Sequence, residues 1–266
     1  MNQPAVHSQT IDLFELSIRT ENFAQAHRSL LDAAKQGSGR PKVVVTPNVD
    51  HIVRLDAQVE FKQLYKTADY IFADGMPVVW ASRMSSARLP ERVTGADLFV
   101  SLCRSAVTEK LRVFVLGGMP GQEEELKADF ARIYPGLQIS LLCPSMQFTT
   151  DGDEANAAIR QIIDLQPHFV FVCLGMPKQE YFAFRLRKEL PAGLHAPVVM
   201  CVGAAMEFAL NKKKRAPLWM QRIGFEWLWR LLSEPRRLWQ RYTVQGSKYG
   251  GILLRERKRQ QALRQQ

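Results

Sequence analysis

The sequence predicts an α/β protein: a mostly parallel sheet with helices on both faces, followed by a basic helical appendage. Two observations predict the sheet. Short apolar runs rich in β-branched residues recur along the chain, and longer amphipathic stretches separate them. A third predicts the appendage. Residues 211–266 hold 15 Lys/Arg and 3 Asp/Glu, a net of +12, whereas residues 1–210 hold 21 and 23, a net of −2. We therefore divide the chain into an α/β domain over 1–210 and a basic amphipathic helical appendage over 211–266.

The elements follow in order. "IDLFELSI" (11–18) is a candidate edge strand. The central strands are "KVVVT" (42–46), "YIFA" (70–73), "RVFVLG" (112–117), "QISLLC" (138–143), "FVFVCLG" (169–175) and "VVMCVG" (198–203). Helical patterns lie between them at 49–67, 96–110, 121–134, 153–166 and 177–190. The strand runs are continuously apolar, which fits strands covered on both faces. Thr150 or Asp151 is the expected cap of the helix near 153. In the appendage, Trp219, Ile223, Trp227 and Leu231 recur every fourth residue, with Arg222, Glu226 and Arg230 on another face. "SEPRRLWQRY" begins a further helix, with Ser233 as cap and Pro235 in the first turn. Four of the five tryptophans lie here, so Trp and Arg share amphipathic helices. Such helices suit an interfacial membrane contact or a lid closed over the body.

Composition removes several classes. Hydrophobic residues make up 46% of 266, enough for a sizeable core. No run of 18 apolar residues occurs, so no membrane-spanning helix is expected. "MNQPAVHSQT" lacks the basic and apolar regions of a secretory signal. Cys103, Cys143, Cys173 and Cys201 sit in apolar runs without C-x-x-C spacing, and read as buried thiols in a reducing cytosol.

The loops after the strands carry the chemistry. "TPNVDH", "DGMP", "GGMPG", "LGMPKQE" and "GAAMEF" each follow a strand, and the carboxyl ends of parallel strands are where ligands bind. Asp74 leaves "YIFA" before Gly75; it reads as a helix cap or as a reacting group at the mouth of a cleft. Gly117, Gly118 and Gly121 lack the G-x-G-x-x-G spacing, and no phosphate-binding G-x-x-x-x-G-K-[ST] occurs, which argues against a dinucleotide oxidoreductase. The turn at Gly117 and Gly118 could still offer backbone N–H groups to a phosphate. Asp151 and Asp153 form a D-x-D that reads as a helix start, so no metal is expected. His51 beside "TPN" could line the cleft, but reads first as a surface residue at a helix start. "KKKRAP" (212–217) leaves one alternative open: a non-catalytic protein that binds nucleic acid through its basic tail.

Seven stretches together resemble one family. "TPNVDHIV", "ADGMPVVWASR", "PERVTGADLF", "VFVLGG", "LGMPKQE", "VGAAMEF" and "KRAPLWMQRIGFEWLWRLLSEPRR" fall in the order of the WecG/TagA/CpsF glycosyltransferases, from about residue 40 to 243. The resemblance implies a Rossmann-like core with a C-terminal membrane-targeting appendage. It implies a metal-independent inverting enzyme of surface-polysaccharide or exopolysaccharide assembly, with no cofactor. Its partners would be a UDP-sugar donor, a polyprenyl-diphosphate-linked sugar acceptor and the anionic inner face of the bacterial cytoplasmic membrane. Nucleic acid is not among them, and a homo-oligomer stays open. Asp74 corresponds to the catalytic base. Thr46, Asn48, Arg92 and Gln179 match substrate-contacting positions, and Lys178, Glu207, Gly117, Gly118 and Gly175 join them as candidates. Arg222, Arg230, Arg236, Arg237 and Arg241 are candidates for holding a diphosphate or the membrane. Two departures stand out: Glu207 replaces a frequent Asp, and "CPSMQF" stands where G-Y-F is usual.

Overall fold

A computed structural model describes residues 10–85, 87–212, 216, 217, 220, 229 and 235–265; the side chains of 235–245 are outside that description. The order is β1 (Thr10–Leu13), β2 (Leu16–Arg19), α1 (Phe23–Gln36), β3 (Lys42–Val45), α2 (Val49–Ala57), α3 (Val59–Tyr65), β4 (Tyr70–Ile71) and α4 (Met76–Ala81). Then come α5 (Gly95–Thr108), β5 (Arg112–Gly117), α6 (Glu123–Ile133), β6 (Gln138–Leu142), α7 (Asp153–Leu165), β7 (Phe169–Cys173), α8 (Lys178–Glu189), β8 (Val198–Cys201), α9 (Ala205–Ala209) and α10 (Pro235–Leu263).

Six strands form one sheet in the order β4-β3-β8-β7-β5-β6, and every neighbouring pair is parallel. Alternate residues of each strand enter opposite cores, as the two-residue side-chain period requires. Val43, Val45, Phe114, Leu116, Val170, Val172, Val199 and Cys201 face one layer, covered by α2, α3, α4, α7, α8 and part of α10. Val44, Val113, Val115, Phe169, Phe171, Val198 and Met200 face the other, covered by α1, α5, α6 and α9. Each fully buried Val or Phe stabilises the fold by roughly 1.5–3 kcal/mol. The two-sided burial is the physical reason that these strands read as unbroken apolar runs.

Three local expectations change. "IDLFELSI" is not an edge of the main sheet; it folds into a separate antiparallel hairpin, β1 with β2, with Ile11 opposite Ile18. Phe14 and Glu15 take positive φ, 56° and 61°, which turns the chain after four residues and starts a second strand. The helix expected over 49–67 divides at Gln58, whose φ −123° and ψ 86° are not helical. The start of α7 is capped by Gly152 without a side-chain bond, so neither Thr150 nor Asp151 is the cap, while Asp153 and Glu154 occupy its first turn. Ser233, the cap expected for the last helix, lies outside the described residues, and the described part of that helix runs Pro235–Leu263.

The far half of α10 lies against the body. Tyr249 and Ile252 are 7% and 6% exposed and belong to the first core layer. Arg259 pairs with Asp12 of the hairpin, Arg255 pairs with Asp56 of α2, and Tyr249 Oη donates to Pro77 O at the start of α4. Among the described residues no helix is long and apolar enough to cross a membrane.

Candidate active site

Asp74 stands where the sheet stops and the chain must turn. Beyond β4 the backbone keeps its pairing with the segment after β3: Phe72 N–H donates to Val45 O at 3.1 Å and Asp74 N–H to Pro47 O at 3.0 Å. This places Asp74 alongside Thr46, Pro47 and Asn48. Gly75 follows with φ +111°, a conformation that L side chains rarely adopt, and α4 begins at once with Pro77 in its first turn. The carboxylate is half-buried, and its Oδ2 accepts the Gly95 N–H at 3.4 Å. Val93 N–H donates to Ala73 O at 2.9 Å, which draws the segment carrying Arg92 to the same edge. Thr94 caps α5 by accepting the Asp97 N–H. A side chain at Gly95 would meet Thr46 Oγ1 at 2.9 Å, so glycine lets α5 approach the buried threonine.

Asn48 and Gln179 belong to a second, linked group. Asn48 caps α2: its Oδ1 accepts the His51 N–H at 3.2 Å and lies 2.9 Å from His51 Nδ1. An amide oxygen only accepts, so His51 Nδ1 carries a proton and the Asn48 NH₂ is directed elsewhere as a donor. His51 Nε2 lies 3.9 Å from Glu180 Oε1. That oxygen also accepts from Gln179 Nε2 at 2.8 Å, while Gln179 Oε1 accepts the Gly203 N–H at 2.9 Å. Both amides therefore have their acceptor ends occupied by protein. His51 is thus not the surface residue expected: its side chain is 17% exposed and is bonded to Asn48.

Glu180 is the residue that sequence reading missed. It sits in the first turn of α8 and is fully buried. Burial pushes its carboxyl up to about 7, against the opposing pull of the Gln179 amide, its own backbone N–H and the Arg54 guanidinium. Tyr65 Oη is buried nearby and, like Glu180 Oε2, has no hydrogen-bond partner among the described residues. Burial and the neighbouring Glu180 charge push the Tyr65 hydroxyl well above its ordinary range. Only an acid beside the predicted Gln179 hinted at this group, and an acid in a first helical turn is ordinary.

The other predicted residues fall along the β5–β7 part of the edge. Gly117 ends β5 with φ +151°, and a side chain there would meet Cys173 Cβ at 2.6 Å. Gly118 has φ +101° and abuts Leu126 and Cys143. Glu207 lies in the short helix α9, half-buried, and its charge acts on Cys173. Gly175 is exposed, and its carbonyl accepts the Gln179 N–H at 3.3 Å. Lys178 Nζ donates to Phe148 O at 2.8 Å, which ties α8 to the loop after β6. The structure thus brings Asp74, Thr46 and Asn48 to one strand edge, with Arg92 at its margin, and sets Gln179 beside Glu180, which faces the His51 partner of Asn48 at 3.9 Å. Gly117 and Glu207 both lie near Cys173, with Gly118 next in the chain. Arg222 and Arg230 lie outside the described residues, and Arg236, Arg237 and Arg241 sit on the first two turns of α10.

The model of the family described as "Glycosyl transferase WecG/TagA/CpsF family" matches residues 11–263. A Bacillus subtilis (strain 168) protein is 30% identical over 201 residues, covering 75% of this chain and 73% of that protein. Its name is N-acetylglucosaminyldiphosphoundecaprenol N-acetyl-beta-D-mannosaminyltransferase. A protein of the same name from Bacillus spizizenii is 31% identical over 201 residues, covering 74% of this chain and 73% of its own.

Proposed function

This chain belongs to the WecG/TagA/CpsF family of glycosyl transferases, and we propose that it moves a hexose or N-acetylhexosamine from a UDP-sugar to a polyprenyl-diphosphate-linked sugar, with inversion and without a metal. The observation that supports this most is the seat of Asp74: a half-buried carboxylate at a strand exit, fixed by Pro47 and Gly95, with Asn48, whose amide oxygen is taken by His51, next in the chain to Pro47. In this reading an acceptor hydroxyl gives its proton to Asp74 as its oxygen attacks C1 of the donor sugar. The C1–O bond to UDP breaks on the opposite face, and the electron pair leaves with UDP. Negative charge grows on the diphosphate, so the site needs donors aimed there. The backbone turn at Gly117 and Gly118, Arg92 and the appendage arginines are the groups assigned to that task. The names of the two relatives favour an N-acetylmannosaminyl donor and an N-acetylglucosaminyl-diphospho-lipid acceptor. UDP-glucose is the other donor to be compared. The appendage would hold the enzyme peripherally on the inner face of the cytoplasmic membrane, where such a lipid is presented.

The test is UDP release from a panel of UDP-sugars, with and without a short-chain prenyl-diphosphate-linked N-acetylglucosamine. Acceptor-dependent release that persists in excess EDTA is the expected result. Loss on chelation with recovery on adding Mg²⁺ or Mn²⁺ would overturn the metal-free part. No release from any UDP-sugar, with salt-sensitive binding of RNA or DNA instead, would move the protein to the nucleic-acid-binding class.

A further inference from the structure

A fully buried carboxyl is costly, and a packed apolar residue in its place is often neutral or stabilising. Glu180 is 0% exposed, and one of its oxygens has no partner among the described residues. Tyr65 Oη, also fully buried, is in the same condition. Two unsatisfied polar atoms at one depth, directly behind a candidate site, ask for a reason beyond stability. The geometry supplies one. Glu180 Oε1 accepts from Gln179 Nε2 at 2.8 Å and faces His51 Nε2 at 3.9 Å, and His51 in turn holds Asn48 Oδ1 at 2.9 Å. One carboxyl thus stands behind two amides that come from different helices. It decides which end of the Gln179 amide meets Gly203, because a flipped amide would set two oxygens against each other. Across 3.9 Å, beyond hydrogen-bond reach, its charge also faces the ring of His51, whose other nitrogen holds the Asn48 oxygen.

We propose that Glu180 is the positioning residue of this site, setting the donor direction of both Gln179 and Asn48 without touching substrate. The role rests on the glycosyl-transfer reading for its purpose, though the orientation itself does not.

The test uses the full chain and two substitutions that both remove the buried charge. Glu180→Gln keeps an acceptor oxygen for Gln179, whereas Glu180→Leu fills similar volume without one. If packing were the only role, both would serve alike. With both variants folded, the expected result is kcat/KM within about threefold of wild type for Gln and a loss of about 10–100-fold for Leu, because small misplacements of positioning groups are costly. Selective ¹⁵N labelling of Asn and Gln reads the orientation directly. The Gln179 and Asn48 NH₂ signals, assigned by their disappearance in Gln179→Glu and Asn48→Asp, should hold in Glu180→Gln and move in Glu180→Leu. In the wild type one Gln179 amide proton should exchange slowly, which needs no variant to fold. Leu as active as Gln, or a freely exchanging Gln179 amide, would overturn the proposal. Wild-type protein with ordered amides but no turnover on any UDP-sugar would sink the reaction assigned above and leave the orientation standing.

Discussion

Around Asp74 the strand edge presents side chains that hold one another; around Gly117 it presents main chain. On the first side, Asn48 is bonded to His51 and Gln179 to Glu180, His51 and Glu180 face each other at 3.9 Å, and Gly95 N–H meets the carboxylate of Asp74. On the second, Gly117 and Gly118 clear the way for close backbone approach. There the loop after β6 is tied from behind, with Glu123 accepting the Cys143 N–H and Glu154 accepting the Ser145 N–H and hydroxyl. Met119 and Met146 stand exposed at the tips of these turns, 51% and 69% accessible. The difference separates two kinds of preorganisation. On one side directional bonds fix side chains; on the other, glycines at positive φ let main chain come close.

If that contrast is right, the largest effect comes from the side-chain half. Asp74→Asn keeps size and removes the base, so kcat should fall by about 10²–10⁴-fold while UDP affinity is retained. Near-wild-type turnover by a folded variant would end the assignment. The main-chain half should break differently. Gly117→Ala forces a side chain into Cys173 at a positive φ, and should lower stability by about 2–4 kcal/mol by urea unfolding. Any folded fraction should show a raised KM for the donor more than a lowered kcat. A neutral Gly117→Ala would mean that the turn can move aside.

The buried carboxyl gives a prediction with a pH sign. Glu180 titrates near 7 in the fold against 4.5 in the unfolded chain. Its neutral form therefore favours the fold fully below pH 4.5, and that contribution is lost as pH rises through 7. Glu180→Gln removes the loss. Its stability relative to wild type should rise between pH 5 and pH 8 by up to about 3 kcal/mol, and be flat above. A pH-independent difference would place the carboxyl's titration elsewhere. The smallest effects belong to the appendage. Replacing Arg236, Arg237 and Arg241 by Gln should weaken binding to anionic vesicles by roughly 1 kcal/mol each, read by co-sedimentation. Deleting everything from 211 onward is a blunter test, because it also uncovers the core positions of Tyr249 and Ile252.

Much of the sheet was legible because parallel strands covered on both faces leave runs such as "VVV" and "FVFVC". Helices α5, α6, α7 and α8 were legible within two residues because their apolar stripes are bounded by strands. The N-terminal hairpin was not, since its turn uses Phe14 and Glu15 at positive φ where Asn-Gly would have announced it. Helix α1 carried a signal that went unused: Asn22 and Gln25 form a reciprocal capping box. The break at Gln58 has no Pro or Gly to mark it. At the site, Asp74, Asn48 and Gln179 came from resemblance, and their proximity needed the fold. Glu180 was beyond reach because sequence gives a residue's neighbours in the chain, not its depth.

The clasp between the hairpin and α10 has a consequence for biosynthesis. Asp12 in the first strand meets Arg259 and Gln260, and Phe14 lies 5.9 Å from the Tyr249 ring. A ribosome makes the hairpin before every strand of the sheet and the helix that covers it after them. During that interval the apolar side of the hairpin toward Tyr249 is without its cover. Long sequence separation of this kind delays completion of the fold and leaves the nascent chain open to association. Loss of Arg259 and Gln260 would therefore be felt far away in sequence, in β1.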